Sequence, residues 1–283
     1  MGDPAYRDVL ARGVRLRVLE EGQGPTLLLL HGLYFDHSTW DGVCSVLDGD
    51  FHLVRPDLPG FGESEKPPAS RFPYGIDSFS EVVTDLYAGL GLGRSVVIGH
   101  GLGGAIAIAL AARHPELVSH LVLIDALCHR DSEDFESRLV RVPLLGSLVL
   151  RQLTGKRAFR AFFRRTQLAP DSNVSDERID HYYRNFNSPA ARGSALQTLR
   201  AIADTRAVVA LTTRIETPTL VLWGRSDRML PPALGQRLSR EIRGAGFELL
   251  DAGHAPQEER PDEIASLVRR FVRPATRQRR VHR

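Results

Sequence analysis

The chain has 283 residues, enough for one large α/β domain or for such a domain carrying an insertion. Hydrophobic residues make up 42% and charged residues 25%, ordinary for a globular protein, and no run of eighteen apolar residues appears that would span a membrane. The net charge of +3 is local: Arg269 to Arg283 hold seven arginines and no acid, and removing those charges turns +3 into −4, so the body has no excess of positive charge for nucleic acid.

Taken in order, Val14–Leu19 and Thr26–Leu30 read as strands, the second stopping at His31-Gly32. His52–Arg55 is a short strand entering the turn-rich Pro56-Asp-Leu-Pro-Gly-Phe-Gly62. Ser78–Leu90 has helical spacing, with Val82, Val83, Leu86 and Leu90 on one stripe. Ser95–Ile98 is the next strand, Leu102–Arg113 an alanine-rich helix, and Leu121–Ile124 another strand. This alternation predicts a mostly parallel, doubly wound α/β sheet.

Between Ala126 and Glu216 the rhythm breaks into helical patterns only: Leu144–Leu153, Arg157–Arg164, Glu177–Phe186 and Ala191–Ala203. Strands resume at 218–224 and Gly246–Leu250, and Pro261–Phe271 closes as a helix. The expected organisation is a core of residues 1–125 and 217–283, with 126–216 inserted as a helical lid over the strand ends, where such sheets bind ligands.

The segment Val97-Ile-Gly-His-Gly-Leu-Gly-Gly-Ala105 runs from strand through tight turn into helix. It fits the nucleophile elbow G-x-S-x-G at every position except the centre, where Gly101 stands in place of the attacking residue. Glycine tolerates the elbow backbone better than serine, so the turn is expected to form without its oxygen. Gly99 to Gly104 also satisfies the dinucleotide pattern G-x-G-x-x-G. That pattern belongs to a first strand with an acid about 20 residues on. Here three strands precede it, and Glu116 falls before the next one.

Three further segments align with the elbow. His31-Gly-Leu-Tyr34 follows a strand, so the amide of Leu33 is expected to pair with that of Leu102 as the two donors of an oxyanion hole. Asp227, in Trp223-Gly-Arg-Ser-Asp227, and His254, in Asp251-Ala-Gly-His254, come in the order of an acid and the base it orients. A lone aspartate after a strand is commonly a turn former and a lone histidine structural, but the joint placement favours a catalytic pair.

These residues, with Asp57-Leu-Pro-Gly-Phe-Gly-Glu-Ser64 and Leu121-Val-Leu-Ile-Asp125, resemble the α/β-hydrolase superfamily over about residues 12 to 272. The resemblance is to its capped branch of epoxide hydrolases, haloalkane dehalogenases, carbon–carbon bond hydrolases and small esterases. It implies Asp227 as acid, His254 as base, Leu33 and Leu102 as oxyanion donors, and a serine or aspartate nucleophile where Gly101 stands. None of His100, Cys44, Cys128 or Asp125 is expected to replace it: His100 should point away from the substrate, and Asp125 is more simply a cap.

Three functions follow. The first is an enzyme using His254 and Asp227 as a general base on water or on a substrate proton, giving hydrolysis or lyase, cyclase or oxygenase chemistry. The second is an esterase-like serine hydrolase whose nucleophile was replaced by Gly101. The third is a non-catalytic binder, against which retention of Asp227 and His254 counts. A small, mostly apolar carbonyl or ester compound is the expected substrate, with Tyr34 and Trp40 as pocket residues. Phe159, Phe162, Phe163, Tyr182, Tyr183 and Phe186 are expected to pack lid on core, and Arg157, Arg160, Arg164 and Arg165 to form a solvated face. No metal cluster or phosphate loop appears, so no cofactor is expected. Two cysteines make no disulfide framework, and Met1–Tyr6 hold no apolar signal core, which together give a cytoplasmic expectation.

Overall fold

The computed structural model describes residues 4–129 and 155–272. The predicted helix Leu144–Leu153 and the arginine tail beyond residue 272 lie outside the described residues.

Eight strands form one sheet: β1 (Ala5–Ala11), β2 (Val14–Gly22), β3 (Thr26–Leu30), β4 (His52–Pro56), β5 (Ser95–His100), β6 (Val118–Ile124), β7 (Thr219–Gly224) and β8 (Gly246–Leu250). Their spatial order is β1-β2-β4-β3-β5-β6-β7-β8. The β1–β2 and β2–β4 pairs are antiparallel, and from β4 onward neighbours are parallel. The central strands read as continuous apolar runs because both faces are covered. Along β5, Val97 faces one core cluster while Val96 and Ile98 face the other.

The first cluster takes in α2 (Ile76–Leu90), α3 (Leu102–Arg113), α7 (Arg206–Thr212) and α8 (Pro232–Glu241). The second lies under α1 (Asp41–Leu47) and α10 (Pro261–Val272). Between β6 and β7 the described residues hold only helices: α4 (Lys156–Thr166), α5 (Asp176–Phe186), α6 (Pro189–Ala201) and α7. Ser175 and Ser188 cap α5 and α6 by accepting from the amides of Arg178 and Ala191. A short α9 (Pro256–Glu259) precedes α10. No helix among the described residues is long and apolar enough to cross a membrane.

The aromatic residues of the insert pack on the core. Phe163 and Tyr182 stack with ring centroids 5.5 Å apart, and both meet Phe35, at 5.2 and 5.0 Å. Polar ties add to this contact. Arg178 on α5 donates to both carboxylate oxygens of Glu258, at 3.3 and 3.1 Å, and Asp36 accepts from His181 at 2.9 Å and from Asn185 at 2.5 Å. Two of the four arginines predicted to form a solvated face are engaged within the insert: Arg160 bonds Asp176 and Asp180, and Arg164 bonds Asp176.

Candidate active site

The elbow stands at the C-terminal end of β5, near the middle of the sheet. Gly101 has φ +52° and ψ −112°, a backbone that side-chain-bearing residues rarely adopt. Its amide donates to the carbonyl of Ile124 at 3.0 Å, and its carbonyl accepts from Leu127 at 2.9 Å, so the chain leaving β6 braces the turn. The flanking glycines answer to close packing. A Cβ on Gly99 would sit 2.4 Å from the carbonyl oxygen of Gly103, and one on Gly103 would sit 2.2 Å from that of Leu30. A Cβ on Gly101 would meet nothing nearer than Nε2 of His254 at 3.6 Å and the Cα of Gly32 at 3.7 Å.

Three loops therefore converge on Gly101. After β3, the His31 imidazole donates from Nδ1 to the Gly32 carbonyl at 2.8 Å and accepts at Nε2 from the Leu58 amide at 2.9 Å, which fixes its neutral tautomer. Burial lowers its pKa to match. This anchors the turn that carries Leu33. Leu102 opens α3, where an amide has no partner within the helix. Among the described residues, neither the Leu33 nor the Leu102 amide is engaged by another group.

After β7, both oxygens of Asp227 are occupied. Oδ1 accepts from the amides of Met229 at 2.7 Å and Leu230 at 2.9 Å. Oδ2 accepts from Nδ1 of His254 at 2.7 Å. Burial pushes the Asp227 carboxyl up, but the charge and hydrogen bond of His254, with further hydrogen bonds, outweigh it and hold the pKa below the ordinary value. The loops carrying acid and base touch closely: a Cβ on Gly224 would lie 1.8 Å from the carbonyl of Gly253. Glu259 ties the His254 loop to the insert, accepting from the amides of Gly253 at 2.8 Å and Ala169 at 3.0 Å.

The remaining candidate residues stand in different settings. Trp40 is fully buried among Leu27, Leu29, Val43, Leu47 and Phe51, on the face covered by α1 and α10, so it is a core residue and not a pocket wall. Tyr34, with φ +71°, packs edge-on against Phe162 and Phe186 of the insert, at 5.4 and 5.6 Å. Among the described residues Asp125 caps no helix: its Oδ1 accepts from the Gly224 amide at 3.0 Å, and the side chain stands beside Asp227. His100 turns under the base, Nε2 donating to the His254 carbonyl at 2.7 Å.

Two side-chain groups have metal-ligand composition, Asp125–Asp227–His254 and Asp36–His37–Asp57, each with atoms within 4.8 Å of one another. In the second, the carboxylates are already satisfied by N–H and O–H donors. Asp57 accepts from the His37 amide and imidazole and from the Glu63 amide, and Asp36 from Ser38, His181 and Asn185. The two cysteines are buried and free, with burial pushing each thiol up to about 12, so neither supplies a thiolate near neutrality.

Residues 25–261 match the family described as the alpha/beta hydrolase fold. The chain is 27% identical to epoxide hydrolase 3 of Xenopus tropicalis, over 96% of this chain and 78% of that one. It is 30% identical to haloalkane dehalogenase 2 of Mycobacterium tuberculosis, over 91% of each. A solved structure of a thermophilic esterase from Thermogutta terrifontis superposes with a TM-score of 0.81 at 25% identity, covering 94% of this chain and 97% of that one. The elbow between β5 and α3, the loops after β3, β7 and β8, and these matches agree: the chain belongs to the α/β-hydrolase fold family, an enzyme family of hydrolase type.

Proposed function

We propose that the protein is a hydrolase-type enzyme acting on a small, mostly apolar carbonyl or ester compound without a covalent serine intermediate. The carrying observation is the aim of His254: Nδ1 is held by Asp227 at 2.7 Å, and Nε2 lies 3.6 Å from where a Cβ at Gly101 would be. At the position where the fold's nucleophile would stand, a Cβ on Gly101 would meet nothing closer than ordinary van der Waals contact, which supports a reading in which one small oxygen nucleophile takes that place within reach of His254.

In this reading Nε2 of His254 takes a proton from water as the water oxygen attacks the substrate carbonyl carbon. The resulting oxyanion is held by the amides of Leu33 and Leu102. The imidazolium, stabilised by ionised Asp227, then returns its proton to the leaving group. General-base catalysis of this kind contributes about 10²–10⁴-fold, and each oxyanion donor about 3 kcal/mol. The same base can instead take a proton from the substrate, giving a lyase or cyclase. Residues 126–216 serve as the cap, with Tyr34 at its contact with the core.

The test is a panel of small esters, lactones and activated ketones, with a serine-directed fluorophosphonate as label. Turnover by the native chain that resists the label and is lost in His254→Ala supports the proposal. Full turnover in His254→Ala, or a covalent acyl adduct on the native chain, rejects it. A second reading, a serine hydrolase whose nucleophile Gly101 replaces, draws support from the room at Gly101. An inert native chain with a labelled, active Gly101→Ser variant would establish that one instead.

A further inference from the structure

Behind His254 stand two carboxyl groups. Asp125, at the end of β6, is fully buried, and so is the Asp227 side chain. Atoms of Asp125, Asp227 and His254 all lie within 4.8 Å of one another. Because β6 and β7 pair in parallel, with Ile124 opposite Leu222, the residues just beyond them are brought to the same edge of the sheet.

Hydrogen-bond accounting separates the two acids. Asp227 receives three donors: the Met229 and Leu230 amides and Nδ1–H of His254. Asp125 receives the Gly224 amide at Oδ1, while Oδ2 is buried with no donor among the described residues. A buried carboxylate oxygen without a donor is costly, and two acceptor-only carboxylates side by side cannot satisfy one another. A proton on Oδ2 removes both problems, since Asp227 retains acceptor capacity. The charged groups that face Asp125 are Asp227, His254 and Glu259, and the two acids disfavour a further negative charge. Burial first, and then the charge of Asp227, push the Asp125 carboxyl well above the ordinary range. Asp125 also holds φ +42°, a left-handed backbone uncommon outside glycine, in the conformation that directs its carboxyl across to β7.

We propose that Asp125 is kept as the neutral acid and donates its carboxyl proton to Asp227, so that one negative charge shared by two carboxyl groups orients the His254 imidazole. Asp125 is then a positioning residue acting through Asp227. Its importance for catalysis rests on the reading of His254 and Asp227 as the general-base pair, whereas its protonation does not.

Infrared spectroscopy of the full chain tests the protonation, and NMR titration of the His254 ring tests the charge. Expected is a protonated-carboxyl C=O band at neutral pH that moves when the chain is made with isotope-labelled aspartate, which excludes Glu259, and that is lost in Asp125→Asn. The His254 midpoint stays within about 0.5 pH unit in Asp125→Asn, because a neutral amide that still donates to Asp227 replaces a neutral acid. No aspartate band at neutral pH, a band that survives Asp125→Asn, or a larger fall in the His254 midpoint overturns the proposal. Should Asp125→Asn not fold, the presence or absence of the native chain's band decides. A chain inert toward every substrate, but with the band and midpoint as expected, refutes the general-base reading and leaves this one standing.

Discussion

The imidazole of His100 lies directly against that of His254, with ring centroids 5.0 Å apart and Nε2 hydrogen-bonded to the His254 carbonyl. Burial, and then the neighbouring imidazole of His254, push the His100 pKa down to about 3. Its folded value is below its unfolded one, so the neutral ring contributes fully above about pH 6.5 and the contribution is lost as pH falls toward 3, at about 1.4 kcal/mol per pH unit. Urea unfolding of the native chain should weaken steeply over that window. His100→Gln, which keeps a donor for the His254 carbonyl, should remove about one proton's worth of that slope.

The three elbow glycines should rank differently when each is changed to alanine. Gly101→Ala makes only ordinary van der Waals contacts, with His254 and Gly32, and meets only the unfavourable backbone, a cost of about 1–3 kcal/mol. Gly99→Ala and Gly103→Ala drive a methyl group into backbone carbonyls. Each should lower the thermal midpoint by more than about 8 °C or prevent folding, taking about 2–4 °C per kcal/mol. Thermal unfolding of the three variants checks the order.

Asp227→Asn should cut turnover by about 10⁴-fold, the loss found when a serine protease's triad acid is changed in the same way and the base takes the wrong tautomer. The lowered Asp227 pKa gives a stabilising contribution present above about pH 3.9 and lost as pH falls below it. In Asp227→Asn that acid-side loss should disappear, as measured by denaturant midpoints across the acid range.

Arg178 clamps α5 to Glu258, whose side chain is only 7% exposed, and also reaches Asp41 at 3.3 Å. Arg178→Ala leaves that carboxylate without its cationic partner, a loss of about 3 kcal/mol. Hydrogen exchange should quicken across α5 while β5 stays protected. Arg178→Lys should restore little, since one ammonium cannot reproduce the forked contact.

The sheet from β2 to β8 and the long helices α2, α3 and α10 were legible from apolar runs or stripes, most of them buried on both faces or along one side. β1 escaped notice because only Val9 and Ala11 of its seven residues are buried. α8 hid behind Pro231-Pro232 and a mostly exposed surface. Gly101, His254 and Asp227 were readable from motif order alone. Asp125 and Trp40 were misplaced because their surroundings come from distant strands and helices: β7 beside β6, and α10 behind Trp40. Linear spacing does not carry those contacts.

The excursion that holds α4 to α7 departs after β6 and returns at β7, and these strands are adjacent. Because β6 and β7 run parallel, it leaves at the C-terminal edge of the sheet, where Ile124 is level with Leu222, and re-enters at the opposite edge, where Thr219 is level with Leu121. Such a detour is a replaceable cassette. Nature or an engineer can swap it for another of different length and lining without rerouting a single strand, so substrate preference can drift while the acid–base machinery stays in place.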